Sequence, residues 1–256
     1  TIHNVYGDSY PHALSPAHPA ARKYVRSVVA DISRNYPLTS VLLEAPNYRK
    51  RAHGGTWVSG HHHEREGVYL RPLEQALLDI SFNEADVEQA SGAGVDVESL
   101  REAVRDHLDR YFDEAPAVPA NLPETIDQFH DAVPALAEYE AHFARAEESL
   151  LAELLTVVQA NGVKLEAGVS PSTDWVVSGG YGLTPAEMAD MIATLRQEML
   201  PHQELGYGVR MGFNNPDYGY AMTSEEATCG VASTVAESGV DEILFYNYGE
   251  APRRSV

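Results

Sequence analysis

The sequence predicts an α/β fold, a parallel (β/α) barrel of the TIM-barrel type that is incomplete at both chain ends, and three observations predict it. Short apolar runs bounded by breakers alternate with amphipathic stretches, the pattern of parallel strands joined by right-handed crossovers. No glycine-rich phosphate fingerprint follows any strand, which favours a barrel over a doubly wound sheet. Each strand also ends in polar or aromatic residues that a barrel would gather on one face. The 256 residues are read as one barrel-type domain, 1–256, with a long loop at 46–70 and a helical insertion at about 71–135. Thr1 opens in a polar loop and the chain stops at Arg253–Val256 just after a strand, so further strands and a closing helix are expected beyond both ends.

In chain order, Ala21, Tyr24, Val25, Val28, Val29 and Ile32 recur at helical spacing, and Pro19 suits a first turn. Ser40 to Ala45 is a short apolar run between breakers, as a buried parallel strand would be. Residues 46–70 carry glycines, Pro46 and a histidine triplet without period, a long loop of the kind that often holds function. Residues 71–112 read as two helices separated by Gly92 and Gly94, the second capped by Asp96. After the Pro- and Ala-rich connector 115–123, one long helical stretch turns Leu136, Tyr139, Phe143, Leu150, Leu151, Leu154, Leu155 and Val158 toward a core. The remainder alternates: strand 163–169, helix 184–199, strand 206–213, helix 224–238, strand 241–248. Thr184, Pro185 and Glu187 form an N-cap, N1 proline and capping box.

Composition narrows the function. The formal charge of −20, from 38 acidic against 18 basic residues, repels polyanions, so neither nucleic acid nor an anionic membrane is an expected partner. Only Lys23, Lys50 and Lys164 are lysines, and scarce lysine beside abundant acid resembles proteins of a high-salt cytoplasm, whose stability rises as salt screens self-repulsion. A cytoplasmic location and a small-molecule or oligosaccharide substrate are expected. The lone Cys229 leaves no intrachain disulfide or cysteine-rich zinc site.

In parallel α/β folds the loops after the strands build the site. Glu44 and Glu166 occupy such positions, and paired carboxylates are what glycosidic cleavage requires: one protonated to assist the leaving oxygen, one ionised. An ion-pair or capping role is the plainer alternative for each. Arg210, Tyr246 and Tyr248 stand at later strand ends as substrate contacts, with Phe245 read as core. The opening segment offers Asn4, Asp8 and His12, either as another active-face loop or as residues making local turn bonds. His62, His63 and Glu64 are read as substrate-binding. No metal or other cofactor is assigned, although His61, His62, His63 and Glu64 are donors a divalent ion accepts; consecutive residues in an extended loop point different ways, and a solvated loop is the third reading.

The segment YPHALSPAHP at Tyr10–Pro19, the strand VLLEAPNY, the loop GHHHERE and the closing ILFYNYG together resemble a group of glycoside-hydrolase-like (β/α)8-barrel proteins over most of the chain. In that group a strand ending Ile-Glu-Leu-Glu precedes a Gly-x-His-His-Glu loop, which matches Glu44, His62, His63 and Glu64 here. The resemblance implies a TIM-barrel-like fold and carbohydrate chemistry. Its members carry cysteines in the first motif and after the histidine loop. Here those places hold Ser15 and the cysteine-free SFNEADVE, which excludes a thiol role. The expected activity is hydrolysis of a carbohydrate or glycoside, with Glu44 as general acid/base and Glu166 as the second carboxylate. The rivals are a metal-dependent hydrolase or isomerase centred on the histidine loop and a non-catalytic carbohydrate-binding barrel.

Overall fold

The structure, a computed structural model, describes residues 1–11, 13–44, 46–48, 70–114, 121–180, 183–210 and 225–246. Two compact units divide the chain, Thr1–Val28 with Ala45–Leu150 and Val29–Glu44 with Leu151–Val256. Two of the three boundaries fall inside helices, α1 (Pro19–Asn35) and α6 (Ala135–Gln159), and the third follows Glu44. Among the described residues no helix is long and apolar enough to cross a membrane.

The first unit opens with β1 (Ile2–His3) paired antiparallel to β2 (Ser9–Tyr10). The turn between them is built by Asn4, whose Oδ1 accepts the N–H groups of Tyr6 and Asp8, and Gly7 supplies the required positive φ of 89°. Then come α2 (Pro72–Asp79), α3 (Glu84–Gly92), α4 (Val97–Glu114) and α5 (Ile126–Ala132), followed by α6. Leu73, Leu77, Phe82, Leu100, Val104, Leu108, Leu136 and Tyr139 form their common core. Where the sequence predicts one helix before Gly92 there are two, because Asn83 stops the first: its Oδ1 accepts the Ala85 N–H and caps α3. The long stretch after residue 123 is likewise divided, with α5 capped by Thr125 and α6 starting after Pro134. Asp96 caps α4 as expected, accepting the Ser99 N–H at 3.1 Å.

On α1 the expected apolar face is only partly used. Val29 and Ser33 are buried, whereas Tyr24 and Val28 stay 64% and 39% exposed. The inward stripe runs through positions 22, 25, 29 and 33 at helical spacing, and Tyr24 and Val28 stand a third of a turn off it.

The second unit holds a five-stranded sheet of β3 (Ser40–Leu42), β4 (Lys164–Ala167), β5 (Trp175–Gly179), β6 (Glu204–Arg210) and β7 (Glu242–Tyr246). All four neighbouring pairs are parallel and the strands lie in chain order. α7 (Pro185–Glu198) joins β5 to β6, and α8 (Glu225–Glu237) joins β6 to β7. The capping box of Thr184 and Glu187 is present in both directions. This is a mixed α/β architecture with the strand order of part of a barrel wall, not the reversed order of a doubly wound sheet.

β5 is an element the periodicity missed, since the alternation suggested a helix after every strand. β4 and β5 overlap by only two pairs, Glu166↔Trp175 and Ala167↔Val176. The chain therefore need not travel back the length of a strand, and the loop 168–174 replaces the usual crossover helix. Gln203 holds that loop, its Nε2 donating to the carbonyls of Ser170 and Thr173 at 2.7 and 2.9 Å. Phe245, expected in the core, is 48% exposed: it lies on the last strand of the described sheet, and no described helix follows to cover it.

Candidate functional site

Strand alternation separates the two faces of the sheet. Val176, Leu205, Tyr207 and Val209 pack with Met188 and Ile192 of α7 and Val231 and Val235 of α8. The intervening residues Lys164, Glu166, Trp175, Val177, Glu204, Gly206, Glu242 and Leu244 share the opposite, inner face. Gly206 marks how close that face is: a Cβ there would stand 3.0 Å from Leu244 Cδ1 and 3.2 Å from Val177 Cγ2.

The inner face is rich in carboxylates. Leu42, Glu166, Trp175 and Glu204 line up in register across β3 to β6. Lys164 Nζ reaches Glu204 Oε2 at 2.8 Å and sits 4.9 Å from the Trp175 ring centroid. The Trp175 indole N–H is buried without an acceptor. Glu166 is buried, and its charge is felt on β7. The Glu242 carboxyl is held above the usual carboxylate range, first by burial and then by the negative charges of Glu166 and Glu204. Both influences act to favour the protonated form of Glu242.

Glu44 follows β3 and is exposed. The backbone pairing with β4 continues to Leu43, whose N–H donates to the Glu166 carbonyl at 2.8 Å. Leu42 pairs with Glu166, so Glu44 stands two residues farther along the neighbouring strand direction. Glu44 itself lies in a bend just beyond β3.

The strand ends step progressively along the register. β3 ends at Leu42, level with Glu204, whereas β6 runs on to Arg210, paired with Tyr246 of β7. Such stagger belongs to the tilted strands of a barrel wall. Arg210 and Tyr246 thus hold C-terminal strand-end positions on the inner-face register, and their side chains lie outside the described set. His12, His61, His62, His63, Glu64 and Tyr248 also lie outside the described residues. Among the described residues no group of three His, Cys, Asp or Glu side chains is placed to hold a metal ion.

Other expected site residues have structural partners. Asn4 is buried and bonds Asp8 through its Nδ2 at 3.1 Å, so this pair shapes its own turn. Asp174, just before β5, accepts the Leu165 N–H at 2.9 Å and anchors β5 to β4. Tyr48 donates its hydroxyl to Asp86 at 2.5 Å and its backbone N–H to Glu147 at 2.9 Å.

The first unit contains two buried polar centres that sequence spacing did not reveal. Asp86, fully buried, accepts hydrogen bonds from Ser81 at 2.6 Å, Tyr48 at 2.5 Å and Ser15 at 3.1 Å. His142 lies 3.6 Å from the same carboxylate. Burial lowers the His142 pKa, with the charge of Asp86 opposing. In the other centre, buried Glu74 takes a bidentate Arg71 and the Nε2 of His107. Burial acts to raise the Glu74 carboxyl, but the bonds from Arg71 and His107 hold it below the ordinary range. A buried Asp or Glu on a helix with helical apolar neighbours was the available signal, but the partners come from distant segments. Compared with known proteins, the chain matches no family model and no curated protein.

Proposed function

We propose that this protein is a hydrolase of carbohydrates or glycosides built on a (β/α) barrel, with Glu44 and Glu166 as its carboxylate pair. The observation that carries the reading is the β3–β4 register. Leu42 pairs with Glu166 and the Leu43 N–H donates to the Glu166 carbonyl, which supports a Glu44 carboxyl within reach of the roughly 5 to 9.5 Å between carboxyl groups that retaining and inverting glycosidases use. Glu166 is buried and Glu44 exposed. Glu242, whose carboxyl is held above the usual range, adds a third acidic group to the inner face. The strand order and stagger support the complete barrel as the parent fold, and a high-salt cytoplasm remains the proposed setting.

Hydrolysis of aryl glycosides and oligosaccharides in concentrated potassium chloride tests this directly. Glu44→Gln and Glu166→Gln are each expected to lose roughly a hundred- to ten-thousandfold in kcat/KM, the usual contribution of a positioned proton-transfer group. Unchanged turnover by both folded variants would refute the assignment.

A further inference from the structure

We infer that the first unit carries an anion-binding site for a small, ring-sized ligand bearing a carboxylate or a phosphate ester, distinct from the carboxylate face. The site is a cavity of about 240 Å³ lined by His3, the turn Asn4–Gly7, Phe82, Arg101 and Arg105. None of these residues is acidic, in a chain whose formal charge is −20. Two guanidinium groups and an imidazole on one small concave surface are the opposite of what the overall composition supplies.

The arginines lie one helical turn apart on α4, so their side chains emerge as neighbours and repel each other. Arg105 is held in place: its Nη2 donates to the Val5 carbonyl at 2.9 Å and its guanidinium lies 5.8 Å from the Tyr6 ring centroid. Arg101 is less satisfied. Its guanidinium lies over Phe82 at 5.3 Å, its Nη1 stands 3.5 Å from Glu98, which is 71% exposed, and its Nε is buried with no acceptor. That Nε is closed to solvent, so the donors Arg101 can turn toward a ligand are its Nη groups. An oxyanion in the cavity would accept from Arg101, offset the repulsion between the two guanidiniums, and match their planar donor geometry.

The rest of the cavity fits the body of such a ligand. Phe82 and Tyr6 offer aromatic surface beside the charged heads, and the volume is below that of pockets taking drug-sized molecules. Tyr6 is itself anchored, donating its hydroxyl to Asp109 at 2.7 Å. Asn4 spends its side chain on the turn. The wall is thereby preorganised, leaving Arg101 as the group with bonding capacity to offer. A monosaccharide-sized acid or sugar phosphate satisfies the size and the charge together.

Isothermal titration of the full chain at fixed potassium chloride, with glucuronate, glucose 6-phosphate, inorganic phosphate and glucose, tests the site. One equivalent of glucuronate or glucose 6-phosphate is expected to bind at least tenfold tighter than glucose, and whichever binds better identifies the anion. Arg101→Gln should weaken that binding about tenfold, and Glu98→Gln, which removes the competing carboxylate at the rim, should strengthen it. No binding by either sugar anion, or equal affinity in a folded Arg101→Gln protein, would overturn the proposal. Inorganic phosphate binding as tightly as the sugar anions would overturn the ring-sized pocket. None of these readouts depends on the Glu44–Glu166 chemistry.

Discussion

Asp86 shows how much a single side chain can organise. A fully buried carboxylate is tolerable only when its acceptor sites are filled, and here Ser15, Tyr48 and Ser81 fill them from three separate chain segments. Tyr139 extends the network by donating to the Ser81 carbonyl at 2.7 Å. Burial, followed by the charge of Asp86, pushes the Tyr48 phenol far above its ordinary range, so its proton stays in the bond. Asp86→Ala would leave three buried hydroxyl groups without their acceptor. We expect it to destabilise the protein by about 3 kcal/mol, read by urea denaturation, with Asp86→Asn less severe because one acceptor oxygen remains. A loss below about 0.5 kcal/mol would show the hydroxyls re-pairing elsewhere. The Ser15 and SFNEADVE segments meet at this carboxylate.

Among the elements, the strands of the sheet share a device for anchoring their starts. Asp174, one residue before β5, accepts the Leu165 N–H of β4, and Asp241, one residue before β7, accepts the Leu205 N–H of β6 at 2.8 Å. Asp241 also pairs with Arg196 of α7 at 2.7 Å, tying helix to sheet. Its carboxyl is held below the usual range, first by the Leu205 N–H and then by Arg196, against a smaller opposing effect of burial. A depressed folded-state pKa means stability that is present above the unfolded carboxylate pKa near 3.9 and is lost as pH falls through the folded value. Asp241→Ala should therefore cost about 1 kcal/mol at neutral pH, and the difference from wild type should shrink progressively below about pH 4. A difference independent of pH in denaturation curves would contradict this role. Such anchors are hard to read in a sequence because an aspartate before a strand looks like any turn residue. Helix α7 was legible because its capping box is local, and the positions of Glu166 in β4 and of Glu44 just past β3 were legible because short apolar runs between breakers are. β5 was not, since its short connection depends on a two-pair overlap that only the fold defines.

At the scale of the whole molecule, the strongly acidic composition coexists with two different charge arrangements. The sheet of the second unit gathers Glu166, Glu204 and Glu242 on its inner face, with Lys164 as a counter-charge, whereas the first unit collects Arg101, Arg105 and His3 around a cavity. Parallel strands in chain order, rather than any local motif, bring the end of β3 beside Glu166, with the Leu43 N–H on its carbonyl. The α/β class was readable from alternation alone, whereas the division into two compact units depends on contacts between residues far apart in the chain. The central claim is that the β3–β4 pairing makes one catalytic carboxylate pair. Its most direct test is the distance between the Glu44 and Glu166 carboxyl groups in a crystal structure grown at high salt. The account predicts roughly 5 to 9.5 Å, with both groups facing one cleft. A separation well beyond that range, or Glu44 turned to the helix-covered face, would contradict it.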